Sequence, residues 1–294
     1  MKLVKFKGGL GNQLFQYSLI RNFEIKYNLK HIKGDFSYFN DINNDTVRLP
    51  RIKKLKVNIT IASKEDVSEI CKFKKSGNPL GLKYKSKIYF EKTFNKKYYF
   101  ESDRSYRDLS TLLNYNYYDG YWQSWKYVEE IEDNLRKEIQ PNFELSSQTK
   151  KIIAKMENEN SVFIGIRRGD YLTTKKDINH YGSYSINYYL KAIEYIKKNV
   201  DNPIFYVFSN DITWVKENLD FKTDVIYRDD KEQTSDVEEL FIMGTCKHAI
   251  IVNSSFYWWG AWLIENQDKI VIAPNNWFAD GSKIDILPQN WIKI

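Results

Sequence analysis

Apolar segments without polar interruption alternate with helical segments through the second half of the chain, and this alternation restricts its fold. The runs at 161–166, 204–209 and 249–252 predict buried strands, and 186–198 between the first two has helical spacing. Strands that lack an exposed polar face are typical of parallel sheets covered by helices on both faces. We therefore expect a doubly wound, Rossmann-like α/β domain over residues 146–294.

The first half predicts a less regular α/β domain over residues 1–145. Residues 2–7 have the pattern of a strand, and a Gly-rich turn at 8–11 separates them from a helix over 13–27. Residues 76–116 mix Gly, Pro and Lys with aromatic residues, and the sequence predicts no clear element there. The total of 294 residues suits two domains of this size.

The cysteines and histidines argue against a disulfide scaffold and a zinc site. Cys71 and Cys246 are the only two cysteines, too few for a disulfide framework, which favours a reducing compartment. His31, His180 and His248 are far apart and lack metal-ligand spacing. Because no apolar run approaches the length of about 18 residues that spans a membrane, and the start lacks a signal-peptide pattern, we expect a cytoplasmic protein.

Positive charge is concentrated in residues 51–100. This segment holds 14 Lys and Arg against 4 Asp and Glu, a local net charge of +10, whereas the whole chain carries +7. Such a segment suits nucleic acid, an anionic membrane surface or a phosphorylated lipid, and equally a lysine-rich solvated surface. Its aromatic residues form no recognisable RNA-binding motif, so we expect no nucleic-acid partner. A peripheral contact with the inner face of the cytoplasmic membrane stays open.

Polar residues follow the predicted strands at the place where doubly wound sheets bind ligands, beyond the carboxyl ends. Arg167, Arg168 and Asp170 follow the strand at 161–166. A guanidinium matches phosphate oxygens in pairs. One arginine is therefore a candidate for neutralising a diphosphate, and Asp170 for orienting that arginine. The alternative is an Arg–Asp pair that stabilises the loop.

Two further strand ends carry small polar side chains. Asn210 and Asp211 follow the strand at 204–209. The strand at 249–252 leads into a helix through Asn253, Ser254, Ser255 and Phe256. A helix N-terminus of this kind binds anions through its unpaired N–H groups, whereas the alternative is ordinary N-capping by Asn253 or Ser254. Three polar strand ends in one sheet favour a ligand.

Carboxylates open the predicted helix that follows Ser235. Glu238 has the position of a capping-box residue, which gives it a structural role. A carboxylate also accepts hydrogen bonds well from the N1–H and N2 amine of guanine, and it is a poor partner for uracil or adenine. Asp236 and Glu239 are therefore candidate donor-binding residues, with Glu239 the better candidate for reading the base.

The turn after the first predicted strand allows a ligand to approach the backbone closely. Its residues are Gly8, Gly9, Gly11, Asn12 and Gln13. The turn matches neither the dinucleotide-binding nor the Walker pattern. Because no Asp-x-Asp occurs in the chain, arginines would have to replace a metal in holding a nucleotide diphosphate. We therefore expect neither a metal nor a cofactor.

Four motifs together resemble the bacterial galactoside α-1,2-fucosyltransferases, which are similar to glycosyltransferase family 11. They are GGLGNQLFQYS at 8–18, GYWQS at 120–124, IRRGDY at 166–171 and the segment 246–262 with NSSFYWWGAW. The resemblance extends over most of the chain, and all four motifs in this order are a specific signal. The resemblance implies a GT-B-like fold of two Rossmann-like domains that face a cleft, with the GDP-sugar on the second domain and the acceptor on the first.

The resemblance also implies an activity, the inverting transfer of L-fucose from GDP-fucose to the 2-hydroxyl of a terminal β-galactoside in bacterial surface polysaccharide (O-antigen) synthesis. Arg167 would bind the β-phosphate and stabilise its developing charge, and Glu239 would stand where relatives carry a guanine-binding Asp. Ser254, Ser255 and Phe256 would line the diphosphate and fucose pocket, and the Gly-rich turn would face the donor. An oligosaccharide linked to a lipid diphosphate is one form that the acceptor could take.

The chain departs from the family pattern at two positions. Gly165 stands where the family usually has His, and Glu239 stands where it has Asp. These departures leave another GDP-deoxysugar, such as GDP-colitose, or a non-catalytic GDP-sugar-binding protein as alternatives. Asp170 is the first candidate for the base that deprotonates the acceptor hydroxyl, with Asp177 and Asp35 behind it.

Overall fold

The chain divides into two compact units. The structure is a computed structural model that describes residues 1–40, 49–71, 82–168, 179–180, 182, 184–228, 234–282 and 284–294. Unit 1 comprises Met1–Asn142 and Ile284–Ile286, and unit 2 comprises Phe143–Lys283 and Leu287–Ile294. The boundary expected after residue 145 lies three residues from this division. The sequence pattern gave no sign that residues 284–286 return to unit 1.

Unit 1 is an α/β unit with a fully parallel sheet. Its strands are β1 (Lys2–Lys5), β2 (Ile32–Asp35), β3 (Thr60–Ile61), β4 (Tyr98–Phe100) and β5 (Tyr117–Asp119). Their order in the sheet is β3-β2-β1-β5-β4. Its helices are α1 (Leu10–Tyr27), α2 (Lys64–Ile70), α3 (Leu82–Phe94), α4 (Lys126–Glu129) and α5 (Glu132–Glu138). Elements α3 and β4 lie in the stretch for which the sequence predicted none.

Helix α1 is buried along most of its length and forms the centre of unit 1. The chain leaves β1 through Gly8, whose φ of +78° is a conformation that favours glycine. The helix begins after Gly9, three residues before the start predicted from apolar spacing. It ends where Asn28 adopts a left-handed conformation, with a φ of 49°.

Unit 2 is the doubly wound domain that the apolar runs predict. Its strands are β6 (Ser161–Ile166), β7 (Ile204–Ser209), β8 (Val225–Tyr227), β9 (His248–Ile250), β10 (Val271–Ala273) and β11 (Ile292–Lys293). They form one sheet in the order β11-β10-β9-β6-β7-β8, and every neighbouring pair is parallel. Its helices are α6 (Ser147–Glu157), α7 (Ile186–Asn199), α8 (Ile212–Asn218), α9 (Asp236–Thr245) and α10 (Ser255–Leu263). The α/β class with parallel sheets is thereby confirmed.

Burial explains why the sequence predicted strands β6, β7 and β9 of unit 2. Every residue of β6 and β9 is buried, and in β7 all but Ile204 are. A strand covered on both faces has no position where a polar side chain reaches water, so its sequence is a continuous apolar run. Helix α9 begins with the predicted capping box, in which Ser235 and Glu238 exchange hydrogen bonds.

Within the described residues, no helix is both long enough and apolar enough to cross a bilayer.

Candidate functional site

The carboxyl ends of β9, β6, β7 and β8 lie at one edge of the unit 2 sheet, because these neighbouring strands are parallel. Arg167 follows β6, Asn210 follows β7, and Asn253 lies just beyond β9. The structure therefore brings the three predicted polar strand ends to one edge. Arg228 follows β8 at the same edge and is buried. Sequence reasoning missed Arg228, although a charged residue directly after a strand was a usable signal.

Arg168 is held in place by its neighbours at this edge. Its guanidinium carbon lies 3.2 Å from the centre of the Trp214 ring, and its Nε lies 3.9 Å from a carboxylate oxygen of Asp211. Its backbone N–H donates to the side-chain oxygen of Asn210 over 2.9 Å. These contacts hold Arg168 directly after the half-buried Arg167 at the end of β6. Arg168 and Asn210 therefore have positioning roles in addition to the donor contacts predicted for them.

Helix α10 begins without a cap from the hydroxyl of its N-cap residue. Ser254 is the N-cap residue, with φ −119° and ψ 120°, and among the described residues its side chain makes no capping hydrogen bond. By contrast, Ser235 and Asp211 cap the helices that they precede. Ser255 and Phe256 are half-buried in the first turn of α10. Because the first N–H groups of a helix lack intrahelical partners, this start is compatible with the predicted anion site, and it argues against N-capping by the hydroxyl of Ser254.

Tyr257 ties helix α10 to the two central strands. Its hydroxyl donates to the carbonyl oxygens of Ile166, over 3.0 Å, and Phe208, over 3.2 Å. The ring is buried and lies against Gly165. The start of α10 is thereby anchored to the ends of β6 and β7, next to Arg167.

Glu238 has the structural role that its capping position predicts. Its carboxylate accepts hydrogen bonds from the N–H groups of Ser235 and Ser146 and from the hydroxyl of Thr149, over 2.9 to 3.0 Å. Burial alone would raise the pKa of Glu238, but these hydrogen bonds lower it from 4.5 to about 2. The ionised side chain joins the start of α9 to the start of α6.

Of four further carboxylates predicted to take part in the site, two lie in described residues and two do not. Asp236 and Glu239 lie half-buried in the first turn of α9. Their contacts with a donor stay predictions. Asp170 and Asp177 lie outside the described residues, and so does Gly169 of the IRRGDY motif.

In unit 1, Gln13 of the Gly-rich turn contacts the protein's own backbone. Its amide nitrogen donates to the carbonyl oxygens of Gly8 and Leu49, each over 2.9 Å, and its amide oxygen accepts from the N–H of Ile52 over 3.0 Å. The side chain is fully buried. Gln13 therefore holds the turn together in this conformation, whereas Asn12 beside it is half-buried and reaches the surface.

Two glutamines join the Gly-rich turn to the GYWQS segment. The amide of Gln123 donates to the side-chain oxygen of Asn12 over 2.7 Å. Gln16 accepts from the N–H of Lys7 over 3.0 Å and donates to the carbonyl oxygen of Gly120 over 3.2 Å. The two motifs therefore form one structure at the carboxyl end of β1 and β5. Sequence reasoning did not single out Gln123, although it lies in a motif that carried the resemblance.

A buried ion cluster lies beneath this structure. Asp119 ends β5 and accepts from Lys5 over 2.9 Å, from Lys7 over 2.7 Å and from the hydroxyl of Tyr98 over 2.7 Å. Asp119 and Lys5 are 1% and 2% exposed. Burial alone would raise the pKa of Asp119, but the two ammonium groups hold it well below its usual range. No local sequence pattern indicated this cluster, because the two lysines are far from Tyr98 and Asp119 in the chain.

Asp35 was the third candidate from the sequence for the base that deprotonates the acceptor hydroxyl. The structure makes it a poor candidate. It ends β2, is only 1% exposed, and accepts from the hydroxyl of Tyr117 and the N–H of Ser37. A base has to come within hydrogen-bond reach of the acceptor hydroxyl, and in this conformation the Asp35 carboxylate is enclosed by protein.

The comparison that decides the family covers the whole chain. The family model described as glycosyl transferase family 11 matches residues 1–294. The chain belongs to glycosyl transferase family 11. This confirms the family indicated by the four motifs.

Relatives of this family 11 chain include two proteins of Escherichia coli and one of Ateles belzebuth. It is 29% identical to an alpha-1,2-colitosyltransferase of Escherichia coli, over 99% of this chain and 98% of that protein. It is 30% identical to the O-antigen biosynthesis glycosyltransferase WbnK of Escherichia coli, over 98% of each. It is also 26% identical to the galactoside alpha-(1,2)-fucosyltransferase 1 of Ateles belzebuth, over 49% of this chain and 42% of that protein.

Among solved structures, the family 11 chain is similar to the fucosyltransferase NodZ from Bradyrhizobium. The identity is 11%, the TM-score is 0.47, and the match covers 88% of this chain and 92% of that one.

The family motifs lie at the carboxyl edges of both sheets. In unit 2, the family 11 chain presents Arg167 and the start of α10 beyond neighbouring strands. A guanidinium and a helix N-terminus both favour an anionic ligand. In unit 1, the amide side chains of Asn12 and Gln123 lie beyond β1 and β5.

Proposed function

We propose that the chain is an inverting glycosyltransferase that moves L-fucose from GDP-fucose to the 2-hydroxyl of a terminal β-galactoside, in the synthesis of a bacterial surface polysaccharide such as O-antigen. One observation carries the proposal. Helix α10 begins without a cap from Ser254, at the same sheet edge as Arg167. Membership of family 11 and relatives named as fucosyl-, colitosyl- and O-antigen transferases support the choice of substrates.

Arg167 and the N-terminus of α10 would hold the diphosphate of the donor. The guanidinium supplies a full positive charge with paired donors, and the helix supplies N–H groups and a partial positive charge. The start of α10 is held beside Arg167, because Tyr257 anchors this helix to the strand after which Arg167 lies. Such preorganised groups stabilise the charge that develops on the leaving diphosphate.

The reaction is a single displacement. The acceptor oxygen O2 forms a bond to the anomeric carbon while the bond from that carbon to the β-phosphate oxygen breaks. GDP leaves with the electron pair, and the configuration changes from β in the donor to α in the product. The proton of the 2-hydroxyl passes to a base, for which Asp170 is the proposed residue.

GDP-colitose is a second candidate donor. A relative 29% identical over nearly the full length of both chains is named as a colitosyltransferase. Colitose differs from fucose in lacking the 3-hydroxyl. The departure from the family pattern at Gly165 is consistent with an altered sugar pocket.

The test is a transfer assay with purified protein, both donors and a panel of β-galactosides, with and without EDTA. We expect GDP release and an α-1,2 product with GDP-fucose, unaffected by EDTA. A clear preference for GDP-colitose would overturn the donor, and GDP binding without turnover of either donor would point to a binding protein.

Two arginine variants, one at the site and one away from it, test the role proposed for Arg167. Arg167→Ala should lower kcat by about 10²–10³-fold, the usual effect of losing one preorganised electrostatic contact. Arg107→Ala is the matched control, because this exposed arginine of unit 1 pairs with Asp103, and we expect its kcat to stay near wild type. A near-normal kcat for Arg167→Ala would remove Arg167 from the mechanism.

A further inference from the structure

At the end of helix α3, a pair of polar side chains is buried within unit 1. Asn95, just after the helix, donates to the carbonyl oxygen of Ile70 over 2.8 Å and to the carboxylate of Glu91 over 2.6 Å. Glu91 and Asn95 are 4% and 2% exposed. The end of α3 therefore buries two polar side chains that are hydrogen-bonded to each other.

Large aromatic side chains on the same turns face solvent. Tyr89, Phe90 and Phe94 are 64%, 43% and 61% exposed. The rings of Phe90 and Phe94 stack with their centres 5.8 Å apart, and the centres of the Tyr89 and Phe90 rings are 6.0 Å apart. A surface helix normally buries its aromatic residues and exposes its carboxylates. This reversal marks a surface that has a partner.

The charge around these rings indicates the kind of partner. Exposed Lys92, Lys96 and Lys97 lie beside them in the chain, within the 51–100 segment that carries a net charge of +10. A second copy that docked by the same face would bring two positive surfaces together, which Coulomb repulsion opposes. Aromatic side chains flanked by lysines suit the interface of a bilayer that contains anionic lipids.

We propose that Tyr89, Phe90 and Phe94, with Lys92, Lys96 and Lys97, form a membrane-binding surface, the α3 surface, that docks on anionic lipid bilayers. The rings enter the boundary between headgroups and acyl chains, and the ammonium groups stay among the lipid phosphates. The surface is independent of the proposed donor and sugar chemistry, because none of its residues belongs to the Gly-rich turn, the GYWQS segment or the edge of the unit 2 sheet.

Vesicle co-sedimentation tests the proposal. The purified protein is mixed with vesicles of phosphatidylcholine alone, or of phosphatidylcholine and phosphatidylglycerol in equal amounts. We expect binding to the anionic vesicles that weakens as salt is raised. The double variant Phe90→Ser/Phe94→Ser should lower the partition coefficient by about tenfold or more. A control double variant, Tyr195→Ser/Ile226→Ser, removes two exposed apolar side chains of unit 2, each 38% exposed, and should bind as wild type does.

Two further measurements test whether the α3 variant is folded and whether a second copy of the chain covers the α3 surface. GDP release with a soluble acceptor should be the same for wild type and the α3 double variant, which shows that the variant is folded. Light scattering reports the oligomeric state of both. The proposal is overturned if wild type does not bind anionic vesicles, or if the α3 variant binds them as tightly as wild type. It is also overturned if wild type is an oligomer that the α3 variant breaks while vesicle binding is unchanged, because a second copy then covers this face.

Discussion

The ring of Tyr257 fills the space into which a side chain at Gly165 would project. A Cβ atom built on Gly165 would lie 2.6 Å from two ring carbons of Tyr257, whereas ordinary contact begins at 3.4 Å. The ring cannot easily move aside, because it is 4% exposed and its hydroxyl donates to Ile166 and Phe208. A histidine at this position therefore has no room while Tyr257 keeps this conformation.

This packing predicts the sign of a small substitution. In an open strand position, replacing Gly with Ala stabilises a protein by roughly 0.5–1 kcal/mol. Gly165→Ala should instead destabilise unit 2 by about 1–3 kcal/mol, the usual effect of overpacking a core. Chemical denaturation of the purified variant measures the free energy of unfolding.

A double-mutant cycle identifies the cause of that loss. In a Tyr257→Ala background the ring is absent, so Gly165→Ala should be neutral or stabilising, with a coupling energy of at least about 1 kcal/mol. If the substitution costs the same free energy in both backgrounds, the clash with Tyr257 is not its cause.

The sequence predicted the strands that are buried on both faces. Residues 161–166 and 204–209 match β6 and β7 because both strands are buried on both faces and leave a continuous apolar run. Strand β3 was missed, since Thr60 and Ile61 are exposed and form a two-residue edge strand without periodicity. Helix α6 was missed because it follows a polar stretch, although Ser146 caps it.

The sequence was less informative about which way a polar side chain points. The expectation that ligands bind beyond the carboxyl ends of parallel strands located Arg167 and Ser254, because those ends meet at one edge of the sheet. It could not separate Gln13, whose side chain hydrogen-bonds to backbone groups of the described residues, from the adjacent Asn12, which reaches the surface. The difference between the two side chains depends on contacts with residues distant in the chain, such as Ile52, and a local sequence pattern does not predict such contacts.

The Gly-rich turn therefore yields a prediction that separates stability from activity. Gln13→Ala removes three hydrogen bonds to backbone groups and should lower the free energy of unfolding by at least about 2 kcal/mol, because buried donors and acceptors lose their partners. Asn12→Ala should change stability by less than about 1 kcal/mol but lower kcat. Denaturation and GDP-release assays on both variants decide it, and an Asn12→Ala enzyme with wild-type kcat would contradict the proposed role of the turn.

The buried ion cluster should be sensitive to the loss of one partner. Asp119→Asn leaves the ammonium of Lys5 buried without its counter-charge and should destabilise unit 1 by about 3–5 kcal/mol. Asp103→Asn is the control, because its ion pair with Arg107 is about half exposed and contributes less than about 1 kcal/mol. Equal losses in thermal denaturation would mean that burial does not set the strength of these pairs.

Glu238 makes the stability of unit 2 depend on pH in a predictable direction. Its pKa is lowered from 4.5 to about 2 in the folded protein, so the folded state binds the proton less readily than the unfolded state. The stabilisation is therefore fully present above pH 4.5 and is lost as the pH falls towards 2. Glu238→Gln removes the charge that accepts from Ser146 and Ser235.

At neutral pH this variant should lose on the order of 2–3 kcal/mol of stability. The difference from wild type should shrink steadily in urea denaturation as the pH is lowered from 5 towards 2. Glu157→Gln is the control, because Glu157 is exposed in the last turn of α6, and the substitution should have little effect at any pH. A Glu238→Gln deficit of constant size down to the lowest pH would mean that the ionised carboxylate does not join α9 to α6, and that packing of the side chain is responsible instead.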